Sequence, residues 1–199
     1  MNRNRAALHI LWRRPFFLRK IPEVGKKPRI CYYVRDSFRQ SRKNMKKIAS
    51  FTVNHDTLQK GMYISRIDGD VVTYDIRMKR PNMGDYLTNG ALHTFEHLFA
   101  TYARNTALAD SVIYIGPMGC RTGFYFLVRD TVSHEEALNL VKESFAFVRD
   151  FDGEIPGSRR EECGNYLEHD LPGAKAAAKD MLDVLKDWTV ERMDYNYGK

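Results

Sequence analysis

The stretch Leu92-His93-Thr94-Phe95-Glu96-His97-Leu98-Phe99 combines an apolar helical pattern with three groups that can bind a metal ion or transfer a proton. At about 3.6 residues per turn, His93 and His97 lie on the same helix face, so their imidazole nitrogens can converge on one divalent cation. Glu96 directly precedes the second histidine, where a carboxylate can hydrogen-bond a metal-bound group or serve as acid and base. The stretch therefore predicts a helix that carries two metal ligands and a proton-transfer group.

The apolar residues of this segment indicate which helix face packs into the core. Leu92, Phe95, Phe99 and Tyr102 recur at helical spacing after Asn89-Gly90, which we expect to supply the N-cap and the turn. The two histidines lie on the neighbouring stripe, at the border of the buried face, where the floor of a pocket is expected.

Arg104 continues the histidine stripe, eleven residues after His93. At about 1.5 Å per residue, this spacing corresponds to roughly 16 Å along the helix axis. We therefore expect Arg104 to hold the distant end of a substrate bound at the metal.

Two histidines do not complete a metal site. Catalytic sites of this kind usually have three protein ligands and leave one position open for water or substrate. Cys163 precedes Gly164 in a loop before the last predicted helix, where the chain can turn back toward a sheet. A thiolate from Cys163 would complete a His2Cys site with one open position.

Charge is distributed unevenly along the 199 residues, whose formal net charge is +7. Residues 1–44 hold 13 Lys/Arg against two acids, which leaves 19 Lys/Arg against 23 acids afterwards. The basic character thus belongs to the first segment, and nucleic-acid binding by the domain is not expected. We expect residues 1–44 to be a disordered basic extension, or sequence upstream of a true start at Met45, and residues 45–199 to form one catalytic domain.

The cysteines indicate a reducing compartment. The sequence has three cysteines, an odd number: Cys31, Cys120 and Cys163. Their spacing is not that of a zinc ribbon, and no secretory signal precedes them. Arg13-Arg14 resembles the start of a twin-arginine signal, but no apolar region follows it. We therefore expect a cytoplasmic protein with no membrane partner.

Four segments have the pattern of strands: 63–67, 71–78, 111–115 and 122–129. The first two flank an Asp68-Gly69 turn and predict a hairpin. A tight turn is expected at 116–119, between the last two.

Two further segments are expected to be helical. Ser133 and Glu136 form a capping box that opens a helix over 134–150. A last amphipathic helix is expected over 172–188.

Asp75 and Arg77 share one face of the second predicted strand. Taken alone, this alternation is typical of polar residues that face solvent on a half-buried strand. Cys120 directly follows the tight turn, where its side chain can be aimed into a pocket. A buried structural thiol is the commoner interpretation of such a residue, and only its neighbours can indicate a reactive one.

Residues 45–199 resemble S-ribosylhomocysteine lyases, the LuxS family of autoinducer-2 synthesis. The order and spacing of five groups of residues carry the resemblance: Ser50-Phe51 with Asn54-His55, Asp75-Ile76-Arg77, His93-Thr94-Phe95-Glu96-His97-Leu98, Pro117-Met118-Gly119-Cys120-Arg121-Thr122-Gly123 and Cys163-Gly164. The resemblance implies an α+β, two-layer, LuxS/metallopeptidase-like fold in which helices cover an antiparallel sheet. It also implies a homodimer whose active sites lie at the subunit interface.

The resemblance assigns roles to particular residues. It implies one divalent metal per subunit, with Fe(II) preferred and Zn(II) as the alternative. The metal ligands that it implies are His93, His97 and Cys163. The substrate-pocket positions that it implies are Ser50, His55, Arg77 and Arg104, of which Ser50, His55 and Arg104 are predicted to bind the substrate. Cys120 and Glu96 take the acid–base roles, and Arg77 supplies a cation that favours the thiolate of Cys120.

The implied reaction is cleavage of S-ribosylhomocysteine to homocysteine and 4,5-dihydroxy-2,3-pentanedione, the precursor of autoinducer-2, in quorum sensing and methyl-cycle detoxification. A metal Lewis acid polarises a sugar carbonyl and so acidifies the neighbouring C–H. Two enolisations move the carbonyl until it is β to the thioether, which is then eliminated.

Two positions depart from the family pattern. Phe95 replaces the usual leucine of the His-Thr-Leu-Glu-His motif and should alter packing only. Tyr114 stands where many members have an aspartate that contacts the amino-acid end of the substrate, so substrate affinity is the property expected to change.

Two other functions fit parts of the pattern. A metallopeptidase of the His-x-x-Glu-His type would recruit a later glutamate as third ligand and would not need Cys120. A zinc-stabilised binding module with a nucleic-acid arm would close its site with four protein ligands, and the sequence offers three candidates.

Overall fold

The computed structural model describes residues 46–48 and 51–198. The predicted extension 1–44, the predicted start at Met45 and the candidate residue Ser50 lie outside the described residues. The strands and helices, in chain order, are β1 Gly61–Asp68, β2 Val71–Arg77, α1 Asn89–Ala103, β3 Val112–Pro117, β4 Gly123–Arg129, α2 His134–Asp150 and α3 Leu171–Leu185. Short 3-10 turns are formed by Ala109–Ser111 and Val190–Met193.

The four strands form one sheet in the order β1-β2-β4-β3, and every neighbouring pair is antiparallel. Gly69 takes a left-handed φ of 61° between β1 and β2, so the predicted hairpin is confirmed. Apolar residues of the sheet and of all three helices share one core. The predicted α+β class, with helices covering an antiparallel sheet, is confirmed.

Phenylalanine rings join the helices to the sheet. Phe95 and Phe99 of α1, Phe124 of β4 and Phe145 of α2 are each at most 1% exposed. The ring centroids of Phe95 and Phe145 are 4.7 Å apart, with the rings edge to face. Burial of each ring contributes about 1.5–3 kcal/mol, which fixes α1 and the histidines that it carries against the sheet.

The helix ends differ in part from those predicted. The Ser133–Glu136 capping box is confirmed. The prediction that Asn89-Gly90 caps α1 is wrong: Thr88 Oγ1 accepts the Ala91 N–H at 3.1 Å, and Asn89-Gly90 forms the first turn. Threonine and asparagine both cap helices well, so composition did not fix the register of this cap.

The last helix is shorter than predicted, because α3 ends at Leu185 and not at Trp188. Trp188 packs its ring edge to face on Tyr63 of β1, and its indole N–H donates to the Met62 carbonyl at 3.0 Å. The chain after α3 is thereby fixed along the edge of the sheet. Among the described residues, no helix is long and apolar enough to cross a membrane.

Candidate active site

Three histidines and one cysteine converge where α1 meets the loop before α3. One ligand atom from each of His93, His97, Cys163 and His169 lies within 4.8 Å of those of the others. Cys163 Sγ is 3.3 Å from His93 Nε2. The structure thus brings the three predicted ligands together and adds His169, which sequence reasoning did not single out.

Backbone carbonyls orient the two helical histidines. His93 Nδ1 is 2.8 Å from the Glu168 carbonyl, and His97 Nδ1 is 2.8 Å from the Pro156 carbonyl. Because a carbonyl only accepts, each Nδ1 carries the proton and each Nε2 presents its lone pair to the cluster. The rings meet at 82°, so both lone pairs can point at one ion.

The loop that supplies Pro156 and Cys163 is shaped to reach the helix. Gly157 adopts φ +71°, and a Cβ built there would lie 3.2 Å from His97 Nδ1. A side chain would therefore crowd the carbonyl contact that orients His97. The Asn165 N–H points at Cys163 Sγ from 3.4 Å and helps to fix the sulfur beside His93 Nε2.

His169 stacks on His93, with ring centroids 4.1 Å apart and planes 20° apart. Its Nδ1 lies 3.1 Å from Thr94 Oγ1, and its Nε2 is buried without a hydrogen-bond partner among the described residues. Two nearly parallel rings cannot both hold one ion in their planes, so His169 does not complete a four-ligand set with His93 in this arrangement. Burial, and the neighbouring His93 and His97, lower the pKa of His169 and keep its imidazole neutral.

This donor set fits a divalent transition metal. Imidazole nitrogens and a thiolate suit both Zn(II) and Fe(II). His169 Nε2, which has no partner among the described residues, is a buried polar atom that a water on such an ion would satisfy. Among the described residues, the cluster contains no carboxylate, contrary to the later glutamate ligand that the metallopeptidase alternative requires.

Glu96 faces a shallow cleft beside the cluster. It lines this cleft with His93 from its own helix and with Met118 and Gly119 from the turn after β3. No described residue hydrogen-bonds its carboxylate, which is half-buried. The carboxylate is therefore available to exchange a proton with a bound molecule.

Cys120 stands on the turn between β3 and β4, and this turn, 118–121, lies two residues later than the turn predicted over 116–119. Gly116 and Pro117 belong to β3, and the Arg121 N–H closes the turn on the Met118 carbonyl at 2.8 Å with φ 58° at Arg121. The exposed thiol lines a cavity of about 330 Å³, together with His55 and Arg77. The predicted corner position of Cys120 is confirmed.

The interpretation of Asp75 and Arg77 as solvent-facing residues is wrong. Both are 3% exposed, and Arg77 Nη2 donates to Asp75 Oδ2 at 2.6 Å. Arg77 Nη1 lies 2.5 Å from Thr122 Oγ1 and 3.9 Å from Cys120 Sγ. The alternation of polar residues correctly put the pair on one face, and other parts of the chain then cover that face.

Arg77 keeps its charge despite burial. Burial lowers its pKa, but Asp75 and then Cys120 and Tyr195 raise it, and the net shift is upward. Tyr195 Oη donates to Asp75 Oδ2 at 2.9 Å, while burial and the adjacent carboxylate raise the pKa of Tyr195. The tyrosine therefore remains a neutral donor, and the guanidinium a cation directed at the thiol.

The predicted substrate-binding residues lie in different places. His55 lines the Cys120 cavity and donates through Nδ1 to the Val53 carbonyl at 3.0 Å. Arg104 donates to the carbonyls of Val112 and Ile113, at 3.0 Å each, and lines neither the Cys120 cavity nor the Glu96 cleft. Ser50 is outside the described residues.

Sequence reasoning missed four residues of the site: Asp75, Thr122, His169 and Tyr195. The first two belong to quoted motifs, but spacing does not show which side chains touch. His169 had a usable signal, since it is a third histidine six residues after Cys163. Tyr195 had none, because 120 residues separate it from Asp75.

A family model described as S-Ribosylhomocysteinase (LuxS) matches residues 48–192. Among relatives named S-ribosylhomocysteine lyase, that of Phocaeicola vulgatus is 49% identical over 157 residues, which cover 76% of this chain and 98% of the relative. Those of Porphyromonas gingivalis and Clostridium acetobutylicum are 48% and 46% identical, and each match covers 76% of this chain and 99% of the relative.

Proposed function

This chain belongs to the S-ribosylhomocysteinase (LuxS) family, and on that premise we propose that it cleaves S-ribosylhomocysteine to homocysteine and 4,5-dihydroxy-2,3-pentanedione. It is a carbon–sulfur lyase whose second product is the precursor of autoinducer-2. The observation that carries the proposal is the presence of two separate groups of residues. One is the His93–His97–Cys163 donor cluster, and the other is the Cys120 thiol with the buried guanidinium of Arg77 beside it. A metal-assisted elimination needs both.

His93, His97 and Cys163 would hold one divalent metal, Fe(II) in the first place and Zn(II) as an alternative. When bound, this ion polarises a carbonyl of the open-chain sugar and makes the adjacent C–H acidic. The carbonyls of Glu168 and Pro156 support this role, because they turn both imidazole Nε2 atoms toward one point.

Cys120 acts as the base that removes the proton from this C–H. Return of the proton to the neighbouring carbon moves the carbonyl one position along the chain, and a repetition places it β to the thioether. Removal of a further proton then breaks the C–S bond, and the electron pair leaves on the homocysteine sulfur, which takes up a proton. The charged Arg77, 3.9 Å from Cys120 Sγ, favours the thiolate that begins this sequence.

Glu96 carries the remaining protons between the sugar hydroxyls and the developing carbonyl oxygens. Its carboxylate lies on the helix face next to His93 and has no hydrogen-bond partner among the described residues, which supports this assignment. Ser50, His55 and Arg104 are proposed to bind the substrate, and for His55 the cavity that it shares with Cys120 is the supporting contact.

The enzyme is proposed to act as a homodimer with active sites at the interface. Within one chain, His93 and Glu96 line one cleft while Cys120 and Arg77 line another cavity, and Met118 is the only described residue that borders both. A substrate that must contact both the metal and the Cys120 thiol can do so more easily if these two groups come from facing subunits. We place the protein in the cytoplasm because Cys120 and Cys163 are both free thiols.

The function is tested by incubating metal-loaded protein with S-ribosylhomocysteine and titrating the released free thiol. Homocysteine should appear in proportion to substrate consumed, and protein treated with a chelator should release none until metal is restored. The matched control is Cys120→Ala, which leaves the donor cluster untouched. Absence of thiol release from the metal-loaded wild-type protein would overturn the proposal.

A further inference from the structure

We propose that Thr122 is a positioning residue for the thiol of Cys120: its hydroxyl donates a hydrogen bond to Cys120 Sγ and holds that sulfur as the thiolate. The idea rests on the proposed function for its effect on turnover, while its effect on the thiol stands apart from any substrate. Thr122 is 2% exposed, and its Oγ1 lies 3.0 Å from Cys120 Sγ and 2.5 Å from Arg77 Nη1.

The direction of the two hydrogen bonds follows from the chemistry of the three groups. A guanidinium has donors only, so Thr122 Oγ1 accepts from Arg77 Nη1. The single hydroxyl proton of Thr122 must then go elsewhere, and the sulfur of Cys120 is its acceptor among the described residues. A thiolate sulfur accepts this proton strongly, whereas the sulfur of a neutral thiol is only a weak acceptor, so the hydrogen bond favours the thiolate.

Arg77 alone is a weak partner for the sulfur. Its Nη2 is engaged by Asp75 at 2.6 Å, and its Nη1 is 3.9 Å from the sulfur but 2.5 Å from Thr122. The Thr122 hydroxyl therefore gives the sulfur a shorter hydrogen bond, in addition to the direct attraction of the Arg77 charge. A cation that donates to a hydroxyl polarises it and strengthens the bond that the hydroxyl donates onward.

The backbone holds Thr122 in place for this contact. Its carbonyl accepts the N–H groups of Met78 and Lys79 at 2.8 and 2.9 Å. The next residue, Gly123, pairs with Arg77 across the sheet, and a Cβ there would lie 1.9 Å from the Ile76 carbonyl oxygen. Strands β2 and β4 can therefore approach closely enough to put the hydroxyl between guanidinium and sulfur, where it stabilises charge without rearrangement.

The experiment compares Thr122→Val, which keeps the shape and removes the hydroxyl, with Thr122→Ser, which restores the hydroxyl. In metal-loaded protein at one fixed pH, the rate of iodoacetamide alkylation is followed on the Cys120 peptide by mass spectrometry, because that rate reports the thiolate fraction. The valine variant should react about tenfold more slowly, the effect expected of one charge-assisted hydrogen bond, and the serine variant should stay close to wild type.

Turnover provides the second readout. In the valine variant kcat should fall with KM and metal content unchanged, and serine should restore it. Unchanged alkylation in the valine variant, or equal slowing in both variants, would overturn the proposal. If the valine variant does not fold, Thr122→Ala replaces it with the same expectation. A wild-type protein that releases no homocysteine would refute the lyase function and leave the alkylation result to decide the role of Thr122.

Discussion

Tyr195 Oη lies 2.9 Å from Asp75 Oδ2, and this bond joins the end of the chain to the ion pair behind Cys120. The ring of Tyr195 also stacks on Tyr63 of β1, with centroids 4.8 Å apart. The family match ends at residue 192, so the contact is made by a segment outside it. Residues after α3 thus help to arrange the thiol network.

Replacement of Tyr195 by phenylalanine should cost about 1–3 kcal/mol of unfolding free energy, because a buried carboxylate loses a donor. Asp75 already has one oxygen, Oδ1, without a partner among the described residues. Urea unfolding measures the change. The control is Tyr197→Phe, whose side chain is 57% exposed and should alter stability little. Equal stability of the two variants would show that the Tyr195–Asp75 bond contributes nothing net.

Replacement of Cys163 by alanine should sharply reduce metal affinity, since two imidazoles alone are a poor ligand set. Cys120→Ala should bind metal as the wild-type protein does, because the thiol lies in another cavity. Metal content after dialysis against a graded chelator distinguishes the two variants. Similar retention by both would contradict the assignment of Cys163.

Replacement of Glu96 by glutamine should leave metal and substrate binding intact and lower thiol release by about 10²- to 10⁴-fold, or about 3 to 5 kcal/mol in the barrier. The rate of thiol release by Glu96→Asp should lie between those of the wild-type protein and Glu96→Gln, because the carboxylate remains but is withdrawn by one methylene. The three proteins are compared by metal content, substrate affinity and kcat. Near-normal turnover of the glutamine variant would show that Glu96 transfers no proton and only orients His93, His97 or a bound water.

Complementation tests the shared site. If Cys120 and the metal of one active site come from different subunits, the Cys120→Ala and Cys163→Ala proteins should each be inactive alone. When the two are co-expressed, about half of the dimers are mixed, and each mixed dimer has one intact site of two. About a quarter of the wild-type number of active sites should therefore be recovered. Co-expressed tags on the two chains allow isolation of the mixed dimers. No recovery in those dimers would place both groups in the same chain.

Alkaline pH should destabilise the fold through its buried tyrosines. Burial raises the pKa of Tyr74 from 10.0 to about 12, and it raises those of Tyr63 and Tyr125 as well. Because the folded state favours the neutral phenols, their contribution is complete below pH 10 and is lost as pH rises through the folded-state values. Urea unfolding between pH 9 and 11 should show the decline, and Tyr74→Phe should flatten it.

Much of α1 could be predicted because a 3.6-residue period encodes which residues share a face. That period placed Phe95 in the core and His93 and His97 together at its border. The strand period likewise put Asp75 and Arg77 on one face. It could not reveal that both are buried, because Tyr195 bonds Asp75 from 120 positions away and a strand pattern carries no information on what covers it.

Errors at element ends have a different origin. Thr88, not Asn89, caps α1, and Trp188 leaves its helical pattern to bond the edge of the sheet. Several residues near a helix end satisfy the same local rule, and tertiary contacts choose between them. His169 shows the same limit for the metal cluster, since its ring stack on His93 depends on how the loop closes.

The carbonyl contacts of His93 and His97 have a consequence for how the protein acquires its metal. Glu168 and Pro156 belong to the same loop as Cys163, so the bonds that aim the two imidazoles also bring that loop onto the helix. The ligand set is built from bonds of the fold itself, unlike small zinc domains whose folding energy is supplied by the ion. We therefore expect metal occupancy and folding to be separable events, so that the folded chain could exchange one divalent ion for another. On this expectation, the supply of ions in the cell, more than the moment of folding, would decide which metal the protein binds.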